Sequence, residues 1–411
     1  NVLPAPDPAA PPVTGAAVDG APAVTIAEID GAIQRGRAFL LKSRDARGAG
    51  PLRPGGTNSR DSIPDYLEDS LDIKAAVTAF CLHALRRTPG GIDTGIERKA
   101  LEATRRAAHP TSAPSTNTQA YGLAYGLEAE LDADPPNLDE IFFFLERIDT
   151  ARKGQGFKYS KDHGEASFQL ALLVNALTRA DRSWPYFVQL HEEIKTRGHR
   201  VDRLPEVTPR VLLDDLSKRL ADMRSRTGNA PYASRAQPAA GSNPAAAGGT
   251  RPPEPGGVTS SDARNPLVEL SLFEARAAQD QNVQQLYEHV ISFVGAHAGL
   301  ETTMREGGAP HSGEGSSSDY YYFFSNYYAT QALSKLVARD PDESLTAKPE
   351  RIRTGPHKSL PEGQQYMRNG YGNIASLFAR TLIRLQNNEG GWYGSPYSGP
   401  HYDTAAAMLA L

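Results

Sequence analysis

From Thr25 onward, apolar residues recur at intervals of three and four, and alternating β-branched runs are nearly absent. Such a period predicts helices, not strands. Thr25-Ile-Ala-Glu28 has capping-box spacing and opens the first helix, which carries Ile26, Ile29, Ile33, Phe39 and Leu40. Helices of amphipathic pattern are predicted over 26–43, 95–107, 138–150, 209–225, 281–297 and 372–387. Each is followed by a linker and a second kind of helix, richer in small residues and aromatics. These begin near Asp72, Asn117, Glu165, Asp262, Phe323 and Tyr402. A further helix is predicted at 184–197, between the third and fourth pairs.

Small residues at helical spacing let helices approach closely, which suits an inner ring, whereas the more charged set suits an outer ring facing water. Six alternating pairs therefore predict an all-α fold, an α/α toroid of six helical hairpins in two concentric rings. An open array would need polar capping repeats, and the apolar last helix, Tyr402 to Leu411, needs cover on nearly all sides. The toroid domain is expected over 25–411. Residues 1–24, rich in Pro, Ala and Gly, read as a flexible leader. The tract 228–261, almost all Pro, Ala, Gly, Ser and Thr, reads as a disordered insertion, because the repeat pattern resumes beyond it.

Composition narrows the function classes. The 411-residue chain carries a formal net charge of −4 and no run of Lys and Arg to track phosphates, which argues against nucleic acid as a partner. No apolar stretch is long enough to span a bilayer. The single cysteine, Cys81, rules out an internal disulfide framework and reads as a small core residue. An upstream export signal, since removed, accounts for the leader and for the initial Asn, so a secreted or periplasmic location is the expectation. Trimming of a longer chain accounts for the same facts. No pair of histidines has ligand spacing, and neither metal nor cofactor is expected.

Two stretches carry a family resemblance. Arg35-Gly36-Arg-Ala-Phe39-Leu40-Leu-Lys-Ser-Arg44, with Gly48 after a gap, follows the QW motif with Arg in place of Gln and no Trp. Leu382-Ile-Arg-Leu-Gln386-Asn-Asn-Glu-Gly390-Gly391-Trp392 supplies Leu, Gln, Gly and Trp in register. With Asp319-Tyr-Tyr-Tyr-Phe-Phe-Ser-Asn-Tyr-Tyr and Tyr402-Asp403-Thr404-Ala405, they make the chain resemble the squalene cyclase and prenyltransferase repeat superfamily, closest to bacterial squalene-cyclase-like proteins. In such motifs the Gln is expected to bond the terminal groups of a neighbouring helix, the Gly to end its own helix and the Trp to pack over the turn.

The resemblance also implies chemistry that these residues lack. Protonating cyclases carry Asp-x-Asp-Asp-Thr-Ala; here the stretch reads Pro400-His401-Tyr402-Asp403-Thr404-Ala405. A neutral phenol at the acid position is far too weak to protonate an alkene. Zinc prenyltransferases use Asp-x-Cys, and Asp319-Tyr320-Tyr321 has no thiol. The expectation is a non-catalytic binding or scaffold protein. Its partner would be an amphipathic small molecule or a protein, another copy of the chain included. The alternative is an isoprenoid cyclase, prenyltransferase-like or carbohydrate-active enzyme with a relocated acid. Any site is expected where the inner helices start, with Asp403, Asp262, Glu165 and Asn117 at the mouth and Tyr321, Tyr322 and Tyr402 as walls. Each acid there has a second reading, as a first-turn group that stabilises its helix.

Overall fold

The computed structural model describes residues 24–42, 71–108, 119–154, 156–160, 163–198, 203–223, 233–235, 260–276, 280–306, 322–345, 370–394 and 399–411. Twelve helices account for nearly all of them. They are α1 (Ile26–Lys42), α2 (Leu71–Arg87), α3 (Thr94–Ala108), α4 (Gln119–Leu131), α5 (Leu138–Lys153) and α6 (Ser167–Thr196). Then follow α7 (Pro209–Met223), α8 (Ser260–Ala275), α9 (Asp280–Glu306), α10 (Tyr322–Arg339), α11 (Tyr371–Leu385) and α12 (Gly399–Ala410). No described helix is long and apolar enough to cross a membrane.

Helix starts follow local chemistry. Thr25 and Glu28 form the reciprocal capping box: Glu28 N–H donates to Thr25 Oγ1 (3.2 Å), and Thr25 N–H donates to Glu28 Oε2 (2.8 Å). Asp93 accepts the N–H groups of Gly95 and Ile96 at α3, and Asn137 accepts that of Glu140 at α5.

Even-numbered helices hold the apolar, small-residue segments, and their contacts run in a cycle. α2 packs on α4, α4 on α6, α6 on α8, α8 on α10, α10 on α12, and α12 returns to α2. The odd-numbered helices lie against this set: α3 on α2 and α4, α7 on α6 and α8, α9 on α8 and α10, α11 on α10 and α12. α1 packs on α12 and α11, so the first helix meets the last two. Arg105 on α3 makes a bidentate pair with the fully buried Glu130 on α4 (2.7 and 2.6 Å), fixing the two helices to each other.

Aromatic rings meet both between neighbours in the cycle and across it. Phe80 on α2 lies 5.6 Å from Tyr327 on α10, centroid to centroid, and 4.8 Å from Tyr402 on α12. The hydroxyls of Tyr125 on α4 and Tyr402 are 2.8 Å apart. All of these except the half-buried Tyr327 are buried, so at this level the interior is filled.

The Gly-Trp stretch after α11 makes the junction with α1. Trp392 is fully buried and donates from Nε1 to Leu382 O (2.7 Å) and from its backbone N–H to Thr404 Oγ1 (3.0 Å). Gln386 Nε2 donates to Ala32 O and to Gly390 O, both at 2.8 Å. Gly390 has φ +90°, and a Cβ there would meet the Arg35 carbonyl oxygen at 2.7 Å, so glycine is required on both counts.

Two features depart from the sequence expectation. The helix predicted at 184–197 is the second half of α6, which runs unbroken for 30 residues through Pro185. Proline removes only one backbone donor, and Leu177, Ala180, Phe187 and His191 keep one face buried across it. A small antiparallel sheet is also present, β1 (Lys158–Ser160), β2 (His163–Ala166) and β3 (Ala233–Arg235), paired in the order β1-β2-β3. β3 falls within the tract read as a disordered insertion; Ala233 pairs with Ala166 and Arg235 with His163.

Candidate functional site

Three even-numbered helices turn polar side chains one turn apart toward one cavity, near the C-terminal ends of α2 and α10 and midway along α6. His83 and Arg87 lie four residues apart on α2, Asn175 and Arg179 on α6, Gln331 and Lys335 on α10. Residues at that spacing share a helix face. Together with Glu128 of α4 and Leu270 and Glu274 of α8, they line a cavity of about 280 Å³. Thr178, Arg182, Tyr327 and Tyr328 complete its wall. Five of the six helices in the cycle contribute.

His83 Nδ1 lies 2.5 Å from Asp132 Oδ2, at the end of α4. Arg179 donates to the other oxygen, Oδ1. Burial alone would raise the Asp132 pKa, but the His83 hydrogen bond and the Arg179 charge outweigh it and hold the carboxyl well below the usual range. An ionised Asp132 accepts the Nδ1–H, which leaves Nε2 of a neutral ring as an acceptor.

Glu274 is gripped from both sides: Lys335 Nζ lies 2.7 Å from Oε1, and Arg182 donates to Oε2. These partners outweigh burial and lower its pKa. Glu128 behaves oppositely. Burial raises its pKa, and Arg179, 3.8 Å away, offsets this only in part. The cations on the wall are Arg87, Arg179, Arg182 and Lys335; the firmly ionised acids are Asp132 and Glu274. Among these groups the balance is 4 − 2, two positive charges, or one if Glu128 also ionises. Helix C-termini carry partial negative charge, which Arg87 and Lys335, near the ends of α2 and α10, also offset. The amides of Asn175 and Gln331 make no hydrogen bond among the described residues.

The residues singled out from sequence stand elsewhere. Asp403, buried at 2% exposure, accepts the Gly394 N–H at 2.8 Å through Oδ2 and so braces the turn after Trp392. Tyr402 belongs to the aromatic interior. Tyr322 lies with its hydroxyl 3.3 Å from His297 Nε2, and Asn326 Nδ2 donates to its carbonyl. Glu165 lies on β2, where it pairs with Arg219 (3.1 Å) and accepts the Phe157 N–H (3.4 Å). None of these four lines the cavity. Asp262 is in the first turn of α8 with its side chain outside the described residues, and Asn117 and Tyr321 lie outside them altogether. The cavity residues carried one legible signal, a neutral polar residue followed four positions later by a cation in three of the small-residue helices.

Among the described residues, no group of three or more His, Cys, Asp or Glu side chains is placed to hold a metal ion. No family model, curated protein or solved structure matches the chain.

Proposed function

We propose that the chain is an α/α toroid of the squalene cyclase and prenyltransferase type that binds a small polar ligand in the cavity lined by five of its inner helices. The cyclic order of helix contacts and the Gln386–Trp392 junction support the toroid. The observation that carries the binding reading is the cavity of about 280 Å³ with side chains from five helices. That volume is near the lower end of ligand sites, roughly 300–1,000 Å³. Its wall is mainly polar, which does not suit a hydrocarbon chain. On α12, Asp403 is committed to a backbone N–H, which argues against an acid poised for an alkene. A thermal-shift screen of polar metabolites against the parent and Asn175→Trp tests the reading. At least one compound should stabilise the parent and leave the filled variant unmoved. If the two respond alike across the screen, the binding reading fails.

A second reading has its own observation. His83, oriented by Asp132 at 2.5 Å, faces the same cavity as Glu128, whose burial favours the protonated carboxyl. A base and an acid on one cavity wall are the elements of acid–base catalysis, with the acid relocated to α4. Turnover of a compound found in the screen, lost in both His83→Gln and Glu128→Gln, would favour an enzyme over a binding protein.

A further inference from the structure

We propose that the cavity takes a small polyhydroxylated carboxylate, a sugar acid, with its carboxylate among Arg87, Arg179 and Lys335 and its hydroxyls on His83, Asn175 and Gln331. This rests on the reading of the cavity as a binding site. The order of groups along the helices is the first argument. On α2, α6 and α10 the lining runs in the same sense, a neutral polar group and then, four residues nearer the C-terminus, a cation. One helical turn is about 5.4 Å, so a cationic tier stands over a neutral tier.

The neutral tier matches hydroxyls. Each amide of Asn175 and Gln331 offers both donors and an acceptor, and neither is used by a described protein group. A hydroxyl is likewise donor and acceptor. His83 Nε2 adds an acceptor whose tautomer Asp132 fixes from behind. Tyr327, half-buried, adds an aromatic residue to the wall, a side chain with both an apolar body and a polar tip.

The cationic tier sets the charge. Arg182 and Lys335 share Glu274, and Arg179 serves Asp132, so the surplus is one or two positive charges, not four. That balance suits one carboxylate better than a diphosphate. Arg87 has no ion pair among the described residues and is exposed at the rim, free to reach a ligand. The volume of 280 Å³ equals about nine water molecules at roughly 30 Å³ each, room for one sugar unit.

Four probes separate the contributions: glucuronate, glucose, acetate and glucosamine, titrated calorimetrically into the full chain at low salt. Glucuronate should bind about tenfold or more tighter than any of the other three. Arg87→Gln and Lys335→Gln should weaken glucuronate about tenfold more than they weaken glucose, and added salt should act in the same direction. Asn175→Leu should weaken both sugars. Glucose or glucosamine binding as well as glucuronate, or glucuronate binding indifferent to Arg87→Gln and Lys335→Gln, overturns the sugar-acid assignment. If none of the four binds, the assignment is also overturned. The metabolite screen with Asn175→Trp then decides separately whether the cavity binds anything else.

Discussion

Arg35 Nε donates to Gln386 Oε1 at 2.9 Å, joining residues 351 positions apart. The same Gln386 amide donates to Ala32 O and Gly390 O, so one side chain ties α1 to the turn that follows α11. Gln386→Ala removes three hydrogen bonds from a half-buried junction and should cost about 1–3 kcal/mol. Arg35→Ala removes one exposed partner and should cost about 0.5 kcal/mol or less. Urea unfolding of the two variants checks the order, and an inverted order would make Arg35 the main tie.

Gly36 and Gly31 lie on the same helix and should respond oppositely to alanine. A Cβ at Gly36 would meet Met408 and the Trp392 ring at 2.8 Å. Trp392 is fully enclosed, so Gly36→Ala should cost about 1–3 kcal/mol. A Cβ at Gly31 meets only the Arg35 guanidinium at 3.5 Å. There the helix-propensity gain, about 0.5–1 kcal/mol, should appear undiminished. Thermal melts of both variants test the contrast.

Stability should fall on mild acidification through His401. Its ring is buried against Phe39 (centroids 5.4 Å), and burial pushes its pKa down from 6.5 to about 4. Between those values the unfolded chain binds a proton that the folded chain does not, so acid favours unfolding, by up to about 1.4 kcal/mol per pH unit. Burial lowers His297 as well and adds to the slope. His401→Phe should flatten the dependence of unfolding free energy on pH over this window. Asp132 acts at lower pH: its contribution is complete above about 3.9 and is lost as pH falls toward its depressed folded value. Asp132→Asn should shallow that lower limb, to which the depressed Glu274 and Asp340 also contribute, and leave the upper one unchanged. Unchanged slopes would assign the proton uptake to other groups.

Cys81 should resist alkylation while the chain is folded. It is 8% exposed, its Sγ lies 3.6 Å from the His401 carbonyl oxygen, and burial pushes the thiol up to about 12. At pH 8 almost no thiolate forms. Iodoacetamide labelling followed by mass spectrometry should show modification only after denaturant is added, and rapid native labelling would contradict this burial.

Helix boundaries were legible because their signals are local. Thr25 with Glu28 and the period of three and four placed α1 at 26–43 against the observed Ile26–Lys42, and α7 at 209–225 against Pro209–Met223. The QW-like stretch singled out Gln386, which bonds the mid-helix carbonyl of Ala32 and not a helix-terminal group, while α11 ends at Leu385, ahead of Gly390. Pro185 misled because the burial that carries a helix past a proline is tertiary. The site was legible only in part. Asp403 and Tyr402 drew attention through the family pattern, yet their partners, Gly394 and Tyr125, come from a turn and from a helix that sequence spacing cannot bring together. The cavity groups were hidden for the same reason. His83 reads as an isolated histidine until α4 places Asp132 beside it.

The meeting of α1 with α11 and α12 sets the order in which a growing chain can finish. The face of α1 that holds Gly36 and Phe39 waits for Trp392, Tyr393 and Met408. At translation speeds of roughly 5–20 residues per second, the 351 positions separating Arg35 from Gln386 take roughly 20–70 s to synthesise. Throughout that interval the nascent chain carries an apolar helix face with nothing to sit on. A ribosome stalled anywhere before Trp392 therefore leaves a product with both edges open, a natural target for chaperones and proteases.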